Sequence, residues 1–315
     1  MSLDGIILVH KPDGCTSHDI VKNIRKILKQ KKVGHYGTLD PMATGLMLIA
    51  LGKATRLFPF FSKLDKEYTG EITLGFATDS YDATGAPATP ISHIFPKEDE
   101  LVHNINAFQG KLNQIPPAFS AKKYKGQPLY KLARAQKEVS PTPSQVIVYS
   151  FKLESYSPPH IEFMVRCSTG TYIRSLAHDL GKKLGCGAHL SRLERTRVGD
   201  YSLQDAHTLD SIEAQEKQDS DSDFILPIED LLPQFPKLIL KDSAVQIAQN
   251  GNTLLPEHAL KLIPPVENAT ASQAQESEIF RVFSPEGKLV AFARKESNSM
   301  GLHPFLVIDS NVQIS

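Results

Sequence analysis

Twelve consecutive residues, Gly34-His35-Tyr36-Gly37-Thr38-Leu39-Asp40-Pro41-Met42-Ala43-Thr44-Gly45, concentrate the side chains best suited to chemistry. Three glycines in that span permit backbone conformations and close approaches that a Cβ would block. Pro41 steers the residue before it away from helix, so Asp40 is presented from an extended or turn segment. A carboxylate so placed can work as a nucleophile or as a general base. A lone Asp-Pro step is more often a turn whose carboxylate satisfies nearby N–H groups. Here His35, Tyr36 and Thr38 share one glycine-rich loop with it, the kind of segment on which functional side chains tend to sit.

A second constellation is Gly170-Thr171-Tyr172-Ile173-Arg174-Ser175-Leu176. It follows a strand pattern and opens a helix pattern, with Thr171 a candidate N-cap and Tyr172 and Arg174 in the first turn. A cation there opposes the helix dipole, so Arg174 is expected to have another partner, and a carboxylate kept ionised and oriented by it is the natural one. The plainer alternative is a surface arginine. Asp65-Lys66-Glu67-Tyr68-Thr69-Gly70 precedes a strand, and on composition alone Tyr68 reads as a core aromatic. Pro116-Pro117-Ala118-Phe119-Ser120-Ala121-Lys122-Lys123-Tyr124-Lys125-Gly126 mixes cations with aromatics, which suits phosphates and stacked bases as well as it suits a solvated loop.

The elements that must position these residues follow from periodicity. Thr16-Ser17-His18-Asp19 resembles a capping box, after which Ile20, Val21, Ile24, Ile27 and Leu28 recur at helical spacing, with Lys22, Arg25, Lys26 and Lys29 mostly off that stripe. Strands are expected at Glu71–Phe76, at 146–153 with Ile147, Tyr149, Phe151 and Leu153 in one phase, and at 161–167. A helix from about 173 to Gly185 follows. Strands and helices mix without the alternation of a parallel doubly wound sheet, so the fold class is α+β around a mostly antiparallel sheet, with a large domain over 1–234. Asp205 to Asp230, acidic with Lys217 its only Lys or Arg, reads as a helix plus an exposed loop. Beyond Pro233, Phe235 and Pro236, a helix at 242–250 ended by Gly251, a hairpin at 279–294 and a strand at 305–308 make a small β-rich domain over 235–315.

The net charge of zero conceals a division: residues 1–200 carry 27 Lys and Arg against 18 Asp and Glu, and residues 201–315 carry 8 against 17. The basic part points toward a polyanion partner. Three scattered cysteines suggest neither a disulfide framework nor a zinc site, and no metal or cofactor is expected. No apolar run approaches the roughly 20 residues that span a bilayer, and the N-terminus does not read as a secretory signal. A monomer in the cytoplasm is the expectation.

Gly37-Thr38-Leu39-Asp40-Pro41-Met42-Ala43-Thr44-Gly45 closely resembles the signature of the bacterial tRNA pseudouridine-55 synthases, the TruB family. Gly5 to Pro12 resembles the family's opening segment, and Lys66-Glu67-Tyr68-Thr69-Gly70 its tyrosine motif. Gln114-Ile115-Pro116-Pro117 through Gly126 and Gly170 to Arg174 also fit in order and spacing, so the resemblance covers roughly residues 5–200. The region from about 235 resembles the family's small PUA-like domain.

The resemblance implies isomerisation of uridine 55 in the TΨC loop of tRNA to pseudouridine, with the T-arm as partner. Asp40 becomes the catalytic aspartate and Arg174 its partner; Tyr68 stacks on the flipped base, Tyr172 lines the pocket, Leu193 packs against uracil, and His35 fills the space the base leaves. Lys22, Lys26, Lys122, Lys123 and Lys125, with Arg192, Arg195 and Arg197, are assigned to RNA phosphates. Three rivals stand beside this reading. A non-catalytic tRNA-folding chaperone predicts that Asp40 is dispensable; a hydrolase using Asp40 on a phosphate ester would want a carboxylate cluster holding a metal; an RNA-guided synthase of the same fold would want further basic extensions.

Overall fold

Residues 5–11, Gly-Ile-Ile-Leu-Val-His-Lys, open with five residues that show no polar alternation, the pattern of a strand covered on both faces. In a computed structural model, which describes residues 3–120, 122–124, 126–135, 142–218, 223–265, 279–295 and 300–308, they form strand β1 (Gly5–Lys11), buried nearly throughout. Helix α1 (Ser17–Ile27) opens on a reciprocal cap. The Asp19 amide donates to the Thr16 hydroxyl, and the Thr16 amide donates to the Asp19 carboxylate. Ile20, Val21 and Ile24 lie beneath it in the core while Lys22, Arg25 and Lys26 face outward.

The chain continues through β2 (Val33–His35), β3 (Thr44–Leu51), α2 (Phe58–Phe61), β4 (Lys66–Leu74), α3 (Glu98–Asn106) and β5 (Gly110–Gln114). A small hairpin, β6 (Lys123–Tyr124) with β7 (Gln127–Pro128), leads to α4 (Leu129–Arg134). Then come β8 (Ser144–Ser157), β9 (His160–Cys167), α5 (Ile173–Leu184), β10 (Ala188–Val198), β11 (Tyr201–Ser202), α6 (Leu209–Lys217) and β12 (Ile225–Pro227). One ten-stranded sheet results, ordered β12-β1-β3-β10-β4-β9-β8-β5, with β2 paired to β3 and β11 to β10. Its strand pairs are antiparallel except at β3–β10, where Thr44 and Gly45 run parallel to Glu194 and Arg195. The fold is α+β, as its mixed patterning implies.

Three local expectations give way to packing. In β8 the register steps between Val148 and Ser150, so Val146, Val148 and Phe151 face the core and Tyr149 is exposed, and the simple alternation from Ile147 to Leu153 breaks. The N-cap position of α5 is Tyr172, without a side-chain cap, and the Thr171 hydroxyl donates to the Ser168 carbonyl instead of capping the helix. Within the acidic 205–230 stretch, α6 is followed by β12, which pairs with β1 at the sheet edge; three residues are too few to show a strand period.

Strands β13 (Lys237–Leu240), β14 (Ala259–Ile263), β15 (Ile279–Phe283), β16 (Leu289–Lys295) and β17 (Leu302–Val307) form a second sheet, ordered β14-β13-β15-β16-β17, beside helix α7 (Asp242–Gln249). Phe60 of α2 joins it to the rest, its ring 5.5 Å from Phe235, 4.9 Å from Phe292 and 6.2 Å from Phe305. Edge and tilted contacts of this kind add to the burial of the rings. No helix among the described residues is long and apolar enough to cross a membrane.

Candidate active site

The segment between β2 and β3 is held by its backbone, which leaves its side chains free. Lys11, at the end of β1, is completely buried, and its ammonium donates to the carbonyls of Pro12 (2.9 Å), Pro41 (3.0 Å) and Ala43 (2.6 Å). Burial lowers its pKa, a cost these carbonyls offset. From α1, the Ser17 hydroxyl accepts from the Leu39 amide and donates to the Leu39 carbonyl. Gly45 has φ of +103°, and a Cβ there would lie 2.6 Å from the Arg195 amide nitrogen, so glycine is what lets β3 run against β10. The junction sets the end of the loop, and Lys11 and Ser17 set its middle.

Asp40 projects from this scaffold onto Arg174 in the first turn of α5. Arg174 Nη2 donates to Asp40 Oδ1 at 3.0 Å, and its Nε lies 2.9 Å from Oδ2. The same guanidinium meets Asp82 Oδ2 at 3.1 Å and donates to the carbonyls of Ser80 (3.1 Å) and Phe119 (2.9 Å). Arg174 is therefore 4% exposed and clamped between two carboxylates. Asp82 is fixed in turn by the hydroxyls of Ser80 (2.7 Å) and Thr84 (2.6 Å). Burial pushes the Asp40 carboxyl above its usual range, with Arg174 pulling it back and the Asp82 charge adding to the rise. About a third of the Asp40 side chain stays open.

That open side faces a cavity of about 320 Å³, within the range of small-ligand sites, lined also by Tyr68, Tyr172, Leu193, Lys66 and Phe58. Tyr68 on β4 pairs with Arg195 of β10, and Gly70 with Leu193, so the strand pair brings Tyr68 and Leu193 to one wall. Burial pushes the Tyr68 phenol up to about 12, against the opposing pull of Arg195, so it works as a neutral hydroxyl and ring. Gln114, at the end of β5, accepts from the Tyr172 amide (2.7 Å) and donates to its carbonyl (2.9 Å), fixing the turn before α5. A second cavity, about 630 Å³, is lined by His35, His18, Met42 and Asp79. Thr38, Leu39, Asp40, Ser120 and Arg174 line both. First burial and then the charge of Arg195 lower the pKa of His35, leaving it neutral at pH 7.

Comparison with known proteins decides what this geometry belongs to. Residues 25–173 match the family described as TruB family pseudouridylate synthase (N terminal domain), and residues 174–233 match the tRNA pseudouridylate synthase B C-terminal domain. The tRNA pseudouridine synthase B of Clostridium tetani is 36% identical over 305 residues, covering 97% of this chain and all of that protein. The protein of the same name from Bacillus subtilis is 42% identical over 259 residues, 80% of this chain and 84% of that one. The chain belongs to the TruB family of pseudouridylate synthases.

These enzymes are isomerases. Among solved structures, a chain of an H/ACA ribonucleoprotein bound to a substrate RNA containing 2′-deoxyuridine matches with a TM-score of 0.70 and 26% identity, over 97% of this chain and 85% of that one. A chain of a Cbf5-Nop10-Gar1 complex gives 0.71 at the same identity and coverage.

Within this TruB-family protein, Asp40, Tyr68, Tyr172, Arg174 and Leu193 meet around one cavity, and His35 stands at the adjoining one. The basic residues are dispersed. Lys22 pairs with Asp19 at 3.2 Å, and Lys26 is exposed on α1, which packs against the acidic α6. Lys122 donates to the Thr142 carbonyl at 3.0 Å and to the Ser144 hydroxyl. Lys125 and the side chain of Lys123 lie outside the described residues. Arg192 sits beside Glu162 at 3.2 Å, and Arg197 is exposed. Arg195, assigned to phosphate from the sequence, is instead buried, donating to the carbonyls of Leu46 (2.7 Å) and Gly37 (3.3 Å). Sequence reasoning gave no role to Asp82, although Asp79-Ser80-Tyr81-Asp82-Ala83-Thr84-Gly85 sets two acids among small hydroxylic residues, a visible signal. It also gave none to Lys11 or Gln114, whose work is to hold backbone.

Proposed function

We propose that this protein converts uridine 55 in the TΨC loop of tRNA to pseudouridine, with Asp40 as the catalytic residue. The observation that carries the proposal is the Asp40–Arg174 pair, with its open carboxylate edge facing a cavity walled by Tyr68, Tyr172 and Leu193. The names of the relatives supply tRNA as substrate.

The reaction breaks the N1–C1′ bond, turns the uracil and joins C5 to C1′; C5 gives up its proton and N1 takes one up, so the product is an isomer of the substrate. A uridine within folded RNA must leave its stack to reach a cavity of this kind, at a cost of a few kcal/mol. Asp40 acts on the ribose as nucleophile or base, and Arg174 keeps it ionised and aimed. Tyr68 lies under the base and Leu193 packs on its edge, while His35 occupies the space the base has left. Exposed Lys22, Lys26, Arg192 and Arg197 contact phosphates. Residues 1–234 form the catalytic domain and 235–315 a PUA-like unit, in keeping with the two separate sheets. Catalysis on tRNA places the protein in the cytoplasm.

The test incubates the purified protein, and its Asp40→Asn variant, with an unmodified tRNA transcript and maps pseudouridine by carbodiimide-dependent reverse-transcription stops. One new stop in the TΨC loop, absent with the variant, is expected. Tight tRNA binding without a stop from the wild type would leave a tRNA-folding chaperone as the better reading.

A further inference from the structure

Leu57-Phe58-Pro59-Phe60-Phe61 sets three phenylalanines around one proline, and two of them are buried. Phe60 joins the second sheet, and Phe61 stacks on Tyr36 with centroids 4.5 Å apart and planes 11° from parallel. Phe58 is 51% exposed. Of the exposed large apolar side chains among the described residues, it alone lines the cavity that holds Asp40, Tyr68 and Tyr172. An aromatic ring left in water at the mouth of a reactive cavity offers a face on which another flat group can stack.

The ring stands on a firm base. Its centroid is 6.4 Å from that of Tyr36, which is 1% exposed, stacked on Phe61 and anchored through its hydroxyl to the Ala54 carbonyl. Pro59 restricts the backbone that follows, and the Phe58 carbonyl accepts from the Ser62 amide at 2.9 Å. Little entropy is left to lose when another flat group settles on the ring. Charge supports a nucleic-acid partner: Gly52 to Leu64 contains Lys53, Arg56 and Lys63 and no acidic residue. Aromatic faces set among cations are how single-stranded nucleotides are held without regard to sequence.

We infer that Phe58 is a stacking platform for a nucleobase next to the uridine that enters the Asp40 cavity, a positioning residue for the RNA that takes no part in the bond changes. The inference rests on the proposed reaction for its substrate. A neighbour stacked on Phe58 holds the strand open at the cavity mouth while the reacting base turns inside it. Because every base has a π-face, the contact sets affinity more than choice of sequence.

The experiment measures initial rates on unmodified tRNA transcript for the full-length wild type and for Phe58→Ala, Phe58→Leu, Phe58→Tyr and Phe58→Trp, with Kd for the same transcript by fluorescence anisotropy and melting temperatures alongside. Loss of one stacked base predicts a rise of about 5- to 150-fold in KM and Kd for Phe58→Ala, with kcat within about twofold. The tyrosine and tryptophan variants stay near wild type, and leucine, apolar but without a π-face, falls with alanine. A KM and Kd within about twofold of wild type for Phe58→Ala, or full rescue by leucine, overturns the inference. A wild type that binds the transcript but makes no pseudouridine sinks the proposed reaction alone, and the Kd series still decides the stacking; a wild type that does not bind it overturns both.

Discussion

Replacing Arg174 by methionine keeps a stem of similar length in place and removes the group that separates two acids, one buried and one partly open. In the wild type the guanidinium contacts both oxygens of Asp40, Oδ2 of Asp82 and the carbonyls of Ser80 and Phe119. Removing one partner from a buried ion pair costs about 3–5 kcal/mol, because a charge is stranded where water does not reach. Asp82, with 4% of its side chain exposed, carries most of that loss. The share of Asp40 is smaller, since a third of its side chain is open and solvent screens it. The deficit also has a definite pH dependence. Burial already raises the Asp40 pKa above its unfolded value, and Arg174 is the chief influence opposing that rise, so its loss drives the pKa further up. A carboxyl with a raised folded pKa destabilises the fold at high pH, and protonation relieves the strain as pH falls. Urea unfolding of wild type and Arg174→Met, compared from about pH 8 to about pH 5, should therefore show the largest gap at the alkaline end and a narrowing gap toward acid. A gap that stays constant, or widens as pH falls, refutes the reasoning.

Catalysis by ionised Asp40 predicts an acid limb in kcat/KM lying above the ordinary aspartate value of about 3.9, with activity lost as pH falls through it. Asp82→Asn removes a charge that raises the Asp40 pKa, so in that variant the limb moves to lower pH. Gly45→Ala demands a positive φ that costs about 1–2 kcal/mol and pushes a methyl group into the Arg195 backbone. Even where the variant folds, a shift of the Asp40 loop by about 1 Å should lower kcat by about 100-fold, and a folded variant with wild-type kcat would contradict this role for the junction. Gln114→Leu leaves the Tyr172 amide without its acceptor and its carbonyl with only the Leu176 amide as donor, a loss of about 1–3 kcal/mol measurable by urea unfolding.

How much of this was legible in the sequence depended on whether a residue's role is local. Thr16, just before helix α1, and Asp19, in its first turn, cap that helix between them, and Gly251, at φ of +74°, stands just past the helix it ends. Arg174 was expected to meet a carboxylate because a cation in a first turn has a dipole to overcome, and it does meet Asp40. That the guanidinium meets a second acid was not readable, since Asp82 reaches it through a loop whose path depends on tertiary packing. Arg195 misled for a related reason: among Arg192, Glu194 and Arg197 it looks like one more surface charge, but it shares the buried face of β10 with Leu193, and the carbonyls of Leu46 and Gly37 receive its donors. Tyr149 shows the limit of period-two reasoning, which a single bulge reverses.

The β3–β10 junction also governs when the site can exist. It joins residues 44–45 to 194–195, and the Asp40 loop further depends on Lys11 near one end of the chain and Arg174 near the other side of the junction. Contacts so distant in sequence form late, after the entropy of closing a long loop has been met. At about 5–20 residues per second, a ribosome needs on the order of 10–40 s to complete β10, and during that interval Gly45 has β1 to pair with but not β10. A nascent chain ending before residue 194 therefore carries every side chain of the Asp40 loop but lacks the junction that sets its end. The same strand, β10, anchors the end of the Asp40 loop at Gly45 and supplies Leu193 to the cavity wall.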